Sequence, residues 1–291
     1  MNKKILITGA LGQLGRAVKK EFEGEADFVL TDMVESDGVK ALDISDMELL
    51  NRAFDEEGPD SVINCAAFTN VDGCEKEEDK AFIANAIGPR NLAIVSEKYG
   101  AKLIHISTDY VFSGNSDHPL IETDEPSPVS AYGRTKLAGE RFVEWFSTRF
   151  FILRTAWLYG EGKNFVRTML SLSTNHDEVS VVSDQLGTPT SAKELARMIH
   201  FLEPTENYGL FHATCEGDTN WADFTEEIFR QKGIKTKVNH VTSEEYKRMN
   251  PASADRPHYS ILEDRMIKLT SDFRMKEWKE ALSDYLSTEG Q

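Results

Sequence analysis

Lys4-Ile5-Leu6-Ile7-Thr8-Gly9-Ala10-Leu11-Gly12-Gln13-Leu14-Gly15 is the stretch that decides the fold. Lys4 to Thr8 is a short, nearly continuous apolar run, the pattern of a strand buried on both faces of a parallel sheet. Three glycines follow, and after them a helical pattern runs through Phe22. The first glycine permits a tight turn, the middle one lets backbone approach a pyrophosphate, and the last lets the helix pack closely on the strand. The free N–H groups of the helix start then face the phosphates. An ordinary strand–helix turn can look the same, so the context matters. Phe28-Val29-Leu30-Thr31 reads as a second strand ending in Asp32, 23 residues after Gly9. A carboxylate at that spacing binds adenosine ribose hydroxyls. The plainer reading of Asp32 is a strand-end turn residue; the loop before it favours the ligand.

Further on, Leu42-Asp43-Ile44-Ser45-Asp46 reads as an adenine-side loop entering a helix capped by Ser45 or Asp46. Ser61 to Ala67 reads as a third strand with small residues at its end, where a cofactor can pass, and Glu75 to Tyr99 as one long helix with Gly88-Pro89 inside it. Lys102 to Ile106 is a fourth strand that delivers Ser107-Thr108-Asp109 at its carboxyl end, the edge where open α/β sheets bind ligands. Tyr110 to Ser130 is a loop and Phe150 to Ala156 a fifth strand. The alternation predicts an α/β fold, a Rossmann-type doubly wound parallel sheet over residues 1–158. From 159 to 291 the pattern is less regular. Val179–Val182 and Phe211–Thr214 read as strands, and Ser191–Leu202, Trp221–Lys232, Ser243–Met249 and Lys276–Leu286 as helices. They predict a smaller α/β substrate-binding lobe, with some segments returning to the main sheet.

Bulk properties narrow the function. The 291 residues suit one large domain with a smaller one grafted on. Lys plus Arg is 33 against 49 Asp plus Glu, a formal charge of -16. Such a surface repels phosphate backbones and anionic lipid, so neither nucleic acid nor a membrane is an expected partner. An anionic small substrate needs a local basic pocket. Cys65, Cys74 and Cys215 share no metal-ligand spacing and read as reduced thiols of a cytoplasmic protein. Met1-Asn2-Lys3-Lys4 imitates a leader start, but the apolar run after it is broken by Gly9, Gly12 and Gly15.

Ser130-Ala131-Tyr132-Gly133-Arg134-Thr135-Lys136 carries the chemistry. On a helix, Tyr132 and Lys136 leave the same face. A phenol titrates near ~10 and is a poor acid at neutral pH, whereas a nearby ammonium favours phenolate. Moving that pKa to about 7 takes roughly 4 kcal/mol, within reach of one desolvated cation plus a cofactor's positive ring. The pair can then move a proton on oxygen while hydride moves on carbon. The spacing also arises by chance on surfaces, so its weight depends on the nucleotide loop.

Taken in order, Thr8-Gly9-x-x-Gly12-x-x-Gly15, Thr108 after the fourth strand and Tyr132-x-x-x-Lys136 on the next helix resemble the extended short-chain dehydrogenase/reductase family, with Asn85 as its structural asparagine. A narrower resemblance covers nearly the whole chain. Ser107-Thr108-Asp109-Tyr110-Val111-Phe112, Thr155-Ala156-Trp157-Leu158-Tyr159-Gly160, Asp184-Gln185-x-Gly187-Thr188-Pro189-Thr190 and Arg256-Pro257-x-x-Ser260-x-Leu262 look like the dTDP-4-dehydrorhamnose reductase branch. This resemblance implies hydride transfer from NADPH or NADH to the C4 ketone of a dTDP-sugar. It implies that Tyr132 protonates the new alkoxide, Lys136 holds the nicotinamide ribose and tunes Tyr132, and Thr108 hydrogen-bonds the carbonyl oxygen. Gly9, Gly12, Gln13, Leu14, Gly15, Asp32, Asp43, Ile44, Ala66, Ala67 and Thr69 would then line the dinucleotide. Val71, Thr108, Asp109 and Trp157 would contact the nucleotide sugar, and Arg256 the diphosphate. Trp157 also reads as a core aromatic and Arg256 as a surface arginine before a proline turn.

Two departures bear on the reading. Related dehydratases carry Thr-Asp-Glu after the fourth strand; Tyr110 in place of the Glu favours simple reduction over water elimination. Where some reductases pair through a metal held by carboxylates, the matching positions here are Ala17 and Lys193, so no metal and no Mg-bridged dimer are expected, only a monomer or weak dimer. Asp32 followed by Met33, without a neighbouring arginine, favours NADH, although the family often accepts both coenzymes. The competing readings are another sugar-nucleotide reductase or epimerase of the family and a non-catalytic NADP-binding regulatory subunit. Intact Thr108, Tyr132 and Lys136 argue against the last.

Overall fold

The computed structural model describes residues 3–251 and 253–288. Met1 and Asn2, which open the leader-like stretch, lie outside them. The chain begins with β1 (Lys3–Thr8), α1 (Gln13–Glu21), β2 (Ala26–Asp32), β3 (Lys40–Ala41), α2 (Met47–Glu57) and β4 (Ser61–Asn64). Next come α3 (Val71–Lys76), α4 (Glu78–Phe82), a π-helical turn (Ile83–Ile87), α5 (Gly88–Tyr99), β5 (Lys102–Thr108), α6 (Ala131–Phe146) and β6 (Phe150–Thr155). Seven strands form one parallel sheet in the order β11-β6-β5-β4-β1-β2-β3, where β11 is Gly209–His212. The order reverses direction between β1 and β4, which opens a crevice over their carboxyl ends.

Alternation along the strands fills two cores. Ile5, Ile7, Ile63, Ile104, Phe151 and Leu153 face one side, against Leu14 and Val18 of α1. Leu6, Val62, Leu103 and Ile152 face the other, against Leu50 and Phe54 of α2, Leu92 and Val95 of α5 and Val143 of α6. Each of these side chains contributes roughly 1.5–3 kcal/mol by leaving water.

The rest of the chain supplies β7 (Leu158–Tyr159), α7 (Phe165–Ser173), β8 (Glu178–Val182), β9 (Leu186–Gly187), β10 (Thr190–Ser191) and α8 (Ala192–Leu202) before β11. After it come β12 (Thr219–Asn220), α9 (Trp221–Lys232), β13 (Lys237–Val241), α10 (Ser243–Met249), α11 (Arg265–Thr270) and α12 (Trp278–Thr288). β8 pairs with β13 in parallel, β9 with β12 antiparallel, and β7 with β10 in parallel. Two segments of this half belong to the main body. β11 extends the sheet beyond β6, and Leu195, Met198, Ile199 and Leu202 of α8 pack into the core beneath α1.

Three expectations need correction. The strand from Ser61 stops at Asn64, because Asn64 turns its side chain back to bond Thr8, the Ala66 N–H and His105 and ends the ladder. The single helix from Glu75 to Tyr99 is broken: α3 ends at Lys76, and the π-helical turn separates α4 from α5. The extra residue in that turn aims Asn85 at the loop after β4, where its amide accepts from Phe68 N (2.8 Å) and donates to Phe68 O (3.1 Å). α7 and β13 lie where no element was expected. Asn164 caps α7 by accepting from Arg167 N (3.0 Å), and β13 is a half-exposed strand with little apolar content.

Candidate active site

A cavity of about 750 Å³ sits over the β1/β4 crevice. Gly9 adopts φ +64°, and a Cβ there would lie 2.7 Å from Ala66 N, so only glycine lets the first turn meet the loop after β4. A Cβ at Gly15 would lie 2.4 Å from Gly9 O; this glycine packs helix on turn and does not line the cavity. Gly12, Gln13 and Leu14 form the mouth, and the buried Oε1 of Gln13 has no hydrogen-bond partner. Asp32 also lines the cavity, accepting from Leu11 N (3.0 Å) and Met33 N (2.8 Å). Ile44, Ala66, Ala67 and Thr69 complete this half. Asp43 does not reach it: its carboxylate turns onto Ser45 N (2.8 Å) and Oγ (2.7 Å), which leaves the helix cap to Asp46. A bare-backbone cradle at a helix N-terminus, an orphaned amide oxygen and a carboxylate at the end of β2 fit a dinucleotide.

The other half carries Thr108, Tyr132 and Lys136 on the same cavity wall. Thr108 ends β5; its hydroxyl donates to Asp109 Oδ1 (2.9 Å) and accepts from Tyr110 N (3.2 Å). α6 starts where Ser130 Oγ accepts from Gly133 N (3.1 Å). A Cβ at Gly133 would lie 2.1 Å from Tyr110 O, so the glycine brings the helix against that loop, and the Tyr110 ring meets Tyr132 edge-on at 5.5 Å. Lys136 is 2% exposed and donates to Ile106 O at 2.5 Å. One turn further along α6, Glu140 is buried in a bidentate pair with Arg154 (2.9 and 2.7 Å) and accepts from Ser107.

The electrostatics differ from the expectation of an acidified phenol. Burial pushes the Tyr132 hydroxyl above its usual range, and the hydrogen bond from Thr108 only partly offsets this. Burial also lowers Lys136 to about 8, opposed by Glu140. Desolvation is the largest influence on the phenol, and the Lys136 ammonium is held on Ile106 O. Asp109 is pushed up to about 6 by burial, against hydrogen bonds from Ser260 and Thr108, and its Oδ2 has no partner.

Val71, Asp109, Trp157 and Arg256 also line the cavity. Arg256 reaches Asp72 only at 3.9 Å, and its buried Nε has no partner. Trp157 is the one non-glycine residue with positive φ (+47°) among the described residues, at a cost of roughly 1–2 kcal/mol. Trp221, which sequence reasoning passed over, stacks on it with centroids 3.6 Å apart and planes 9° apart. No local pattern marks Trp221; it is simply the first residue of α9 after the Asn220 cap. A second cavity of about 1020 Å³, between α7, β8 and α10, shares Trp221 and Arg256 with the first. The described residues contain one group with metal-ligand spacing, Asp223, Glu226 and His240; it is exposed, and none of the three lines either of these cavities. No helix among them is long and apolar enough to cross a membrane.

A parallel Rossmann sheet with a glycine turn at its switch point, and with threonine, tyrosine and lysine on the facing wall, defines the extended short-chain dehydrogenase/reductase class. The family model described as RmlD substrate binding domain matches residues 3–290. A crystal structure of a dTDP-4-dehydrorhamnose reductase from Clostridium acetobutylicum is 49% identical and superposes with a TM-score of 0.92, covering 98% of each chain. The same enzyme from Bacillus anthracis, in complex with NADP, is 39% identical with a TM-score of 0.92 over 99% of each chain. The spore coat polysaccharide biosynthesis protein SpsK of Bacillus subtilis is 39% identical over 286 residues, 97% of this chain and 96% of its own. The chain belongs to the dTDP-4-dehydrorhamnose reductase family of NAD(P)-dependent oxidoreductases.

Proposed function

We propose that this chain reduces the C4 ketone of dTDP-4-dehydro-L-rhamnose to the alcohol of dTDP-L-rhamnose. The observation that carries the proposal is the convergence of Thr108, Tyr132 and Lys136 on one cavity that the glycine turn also lines. NADPH or NADH, when bound, supplies the hydride. Gly9, Gly12, Gln13 and Leu14 would hold its diphosphate, Asp32 its adenosine ribose and Lys136 its nicotinamide ribose. Thr108 donates to the ketone oxygen as negative charge grows there, and Tyr132 gives that oxygen its proton, so the carbonyl gains one hydride on carbon and one proton on oxygen. Tyr132 needs a stronger pull toward phenolate than it has in the protein alone, so proton transfer depends on Lys136 staying charged beside it.

Arg256 would meet the diphosphate where the two cavities join, and Asp109 and Trp157 would hold the sugar. Tyr110, standing where related dehydratases have a glutamate, leaves the site without the acid that water elimination needs. We place the reaction in the cytoplasm, with the chain acting as a monomer or weak dimer without a bridging Mg²⁺. A sizing column run with and without chelator checks this; a dimer that falls apart on chelation refutes it.

The test of function compares coenzyme oxidation with dTDP-4-dehydro-L-rhamnose against other 4-ketosugar nucleotides, with product configuration read by NMR. Tyr132→Phe should lose turnover by at least ~100-fold, the usual share of a general acid, while still binding coenzyme. Higher kcat/KM on a different 4-ketosugar, or a Tyr132→Phe variant that retains its rate, overturns the assignment.

A further inference from the structure

We propose that Trp221 is a positioning residue that holds Trp157, and through it the sugar end of the substrate, in place; the sugar's identity rests on the function proposed above. Trp157 follows β6 with φ +47°, a backbone conformation that a bulky side chain adopts only when its surroundings impose it. Two contacts impose it here. The Trp221 ring lies flat on the Trp157 ring, 3.6 Å between centroids. Gly187 closes on the same indole: a Cβ there would lie 2.6–2.7 Å from Cε2, Cζ2 and Nε1. The two clamps are built together, because β12 pairs Thr219 with Gly187 and Asn220 with Leu186 immediately before Trp221.

Trp221 is itself fixed from behind. Phe165 of α7 packs on it at 4.5 Å, and Phe165 in turn stacks on Phe224 of α9 at 5.7 Å. An aromatic pair that only filled a core would be buried, whereas both rings remain partly exposed and line cavity walls. Trp157 lines the cavity of Thr108 and Tyr132, while Trp221 lines that cavity and the larger one beyond it. The stack therefore stands where a substrate passes from one cavity to the other. Its loss frees Trp157 to leave the left-handed region and takes away a wall of the sugar site, without touching the glycine turn that holds coenzyme. This also gives Gly187 a role, which the sequence pattern around it leaves unassigned.

Trp221→Ala, Trp221→Phe, Trp157→Phe and, as a control, Trp145→Phe on the exposed face of α6 separate the possibilities. Two stacked indoles couple their transitions and, where the in-plane dipoles are turned relative to one another, give a paired positive and negative circular dichroism band in the far ultraviolet. That couplet should appear in the wild type and in Trp145→Phe and vanish in the other three. Trp221→Ala should raise KM for the sugar nucleotide roughly tenfold and lower kcat, with the dissociation constant for coenzyme unchanged. Trp221→Phe keeps a smaller ring on Trp157 and should recover part of the loss. A couplet that persists in Trp221→Ala, unchanged kinetics in Trp221→Ala, or coenzyme binding weakened as much as sugar binding each overturns the proposal. A wild type that turns over no 4-ketosugar nucleotide sinks the functional assignment instead, and the couplet, which needs no substrate, still decides the stack.

Discussion

Replacing Glu140 by Gln tests the charge pair beneath the reacting groups. Glu140 and Arg154 have side chains only 2% and 4% exposed, joined by two parallel hydrogen bonds of 2.9 and 2.7 Å. Glutamine has the same shape, so no cavity opens, and an amide oxygen at Oε1 keeps the bond from Ser107. What is lost is the negative charge facing a guanidinium whose Nη1 is already without a partner. Breaking a buried pair by removing one member costs about 3–5 kcal/mol, a large share of a typical net stability of ~5–15 kcal/mol. Removing both charges in Glu140→Leu with Arg154→Met should cost far less, about 1–3 kcal/mol, mostly for the Ser107 hydroxyl left unpaired. Urea unfolding followed by circular dichroism, with free energies extrapolated to water, measures both. A loss under about 1 kcal/mol in Glu140→Gln, or a double variant worse than the single one, refutes the reasoning.

The same carboxylate opposes the loss of the Lys136 proton, which leads to further predictions. Lys136 is lowered from 10.5 to about 8, so if it works as the ammonium, kcat/KM should fall above about pH 8, and Glu140→Gln should move that limb to lower pH. A pH–rate profile flat to pH 10 contradicts this. Asp32→Ser should shift the ratio of kcat/KM toward NADPH, since a carboxylate repels a 2′-phosphate, and should weaken both coenzymes, since Leu11 N loses its acceptor. A wild type that already prefers NADPH strongly shows that Asp32 does not select. Asp264 is buried and raised from 3.8 to about 8, so the folded protein holds a proton that the unfolded chain releases. Its stabilising contribution is full below about pH 4 and is lost as pH rises through 8. Asp264→Asn should flatten that slope in unfolding free energies measured across pH 4–9, and a variant with the wild-type slope excludes Asp264 as its source.

Much of this was legible in the residues because the physics is local. Lys4 to Thr8 reads as a doubly buried strand, and the glycines after it have one geometric use each. Tyr132 and Lys136 share a face by helical spacing alone. What stayed hidden depends on partners far away in sequence. The break between Glu75 and Tyr99 is invisible because α- and π-helical turns share nearly the same apolar rhythm; the buried Asn85 at that point was the available sign. Phe211 reads as part of a strand, but nothing near it says that the strand adds to β6. Ser45 and Asp46 both read as caps for α2, and the sequence does not say that Asp43 turns onto Ser45 instead of a ligand. The charge balance on Tyr132 and Lys136 is set by how deeply each is enclosed, which composition does not report.

Strand β11 ties the two halves of the chain together. Residues 209–212 form the outermost strand of the nucleotide-side sheet although, α8 apart, the segments before and after them form their own small strand pairs. A fragment cut after residue 158 would expose β6 as a bare, apolar edge open to pairing with other copies. Exchanging sugar specificity between relatives therefore calls for grafting the segments around α8 and β11 and leaving that helix and strand with the host.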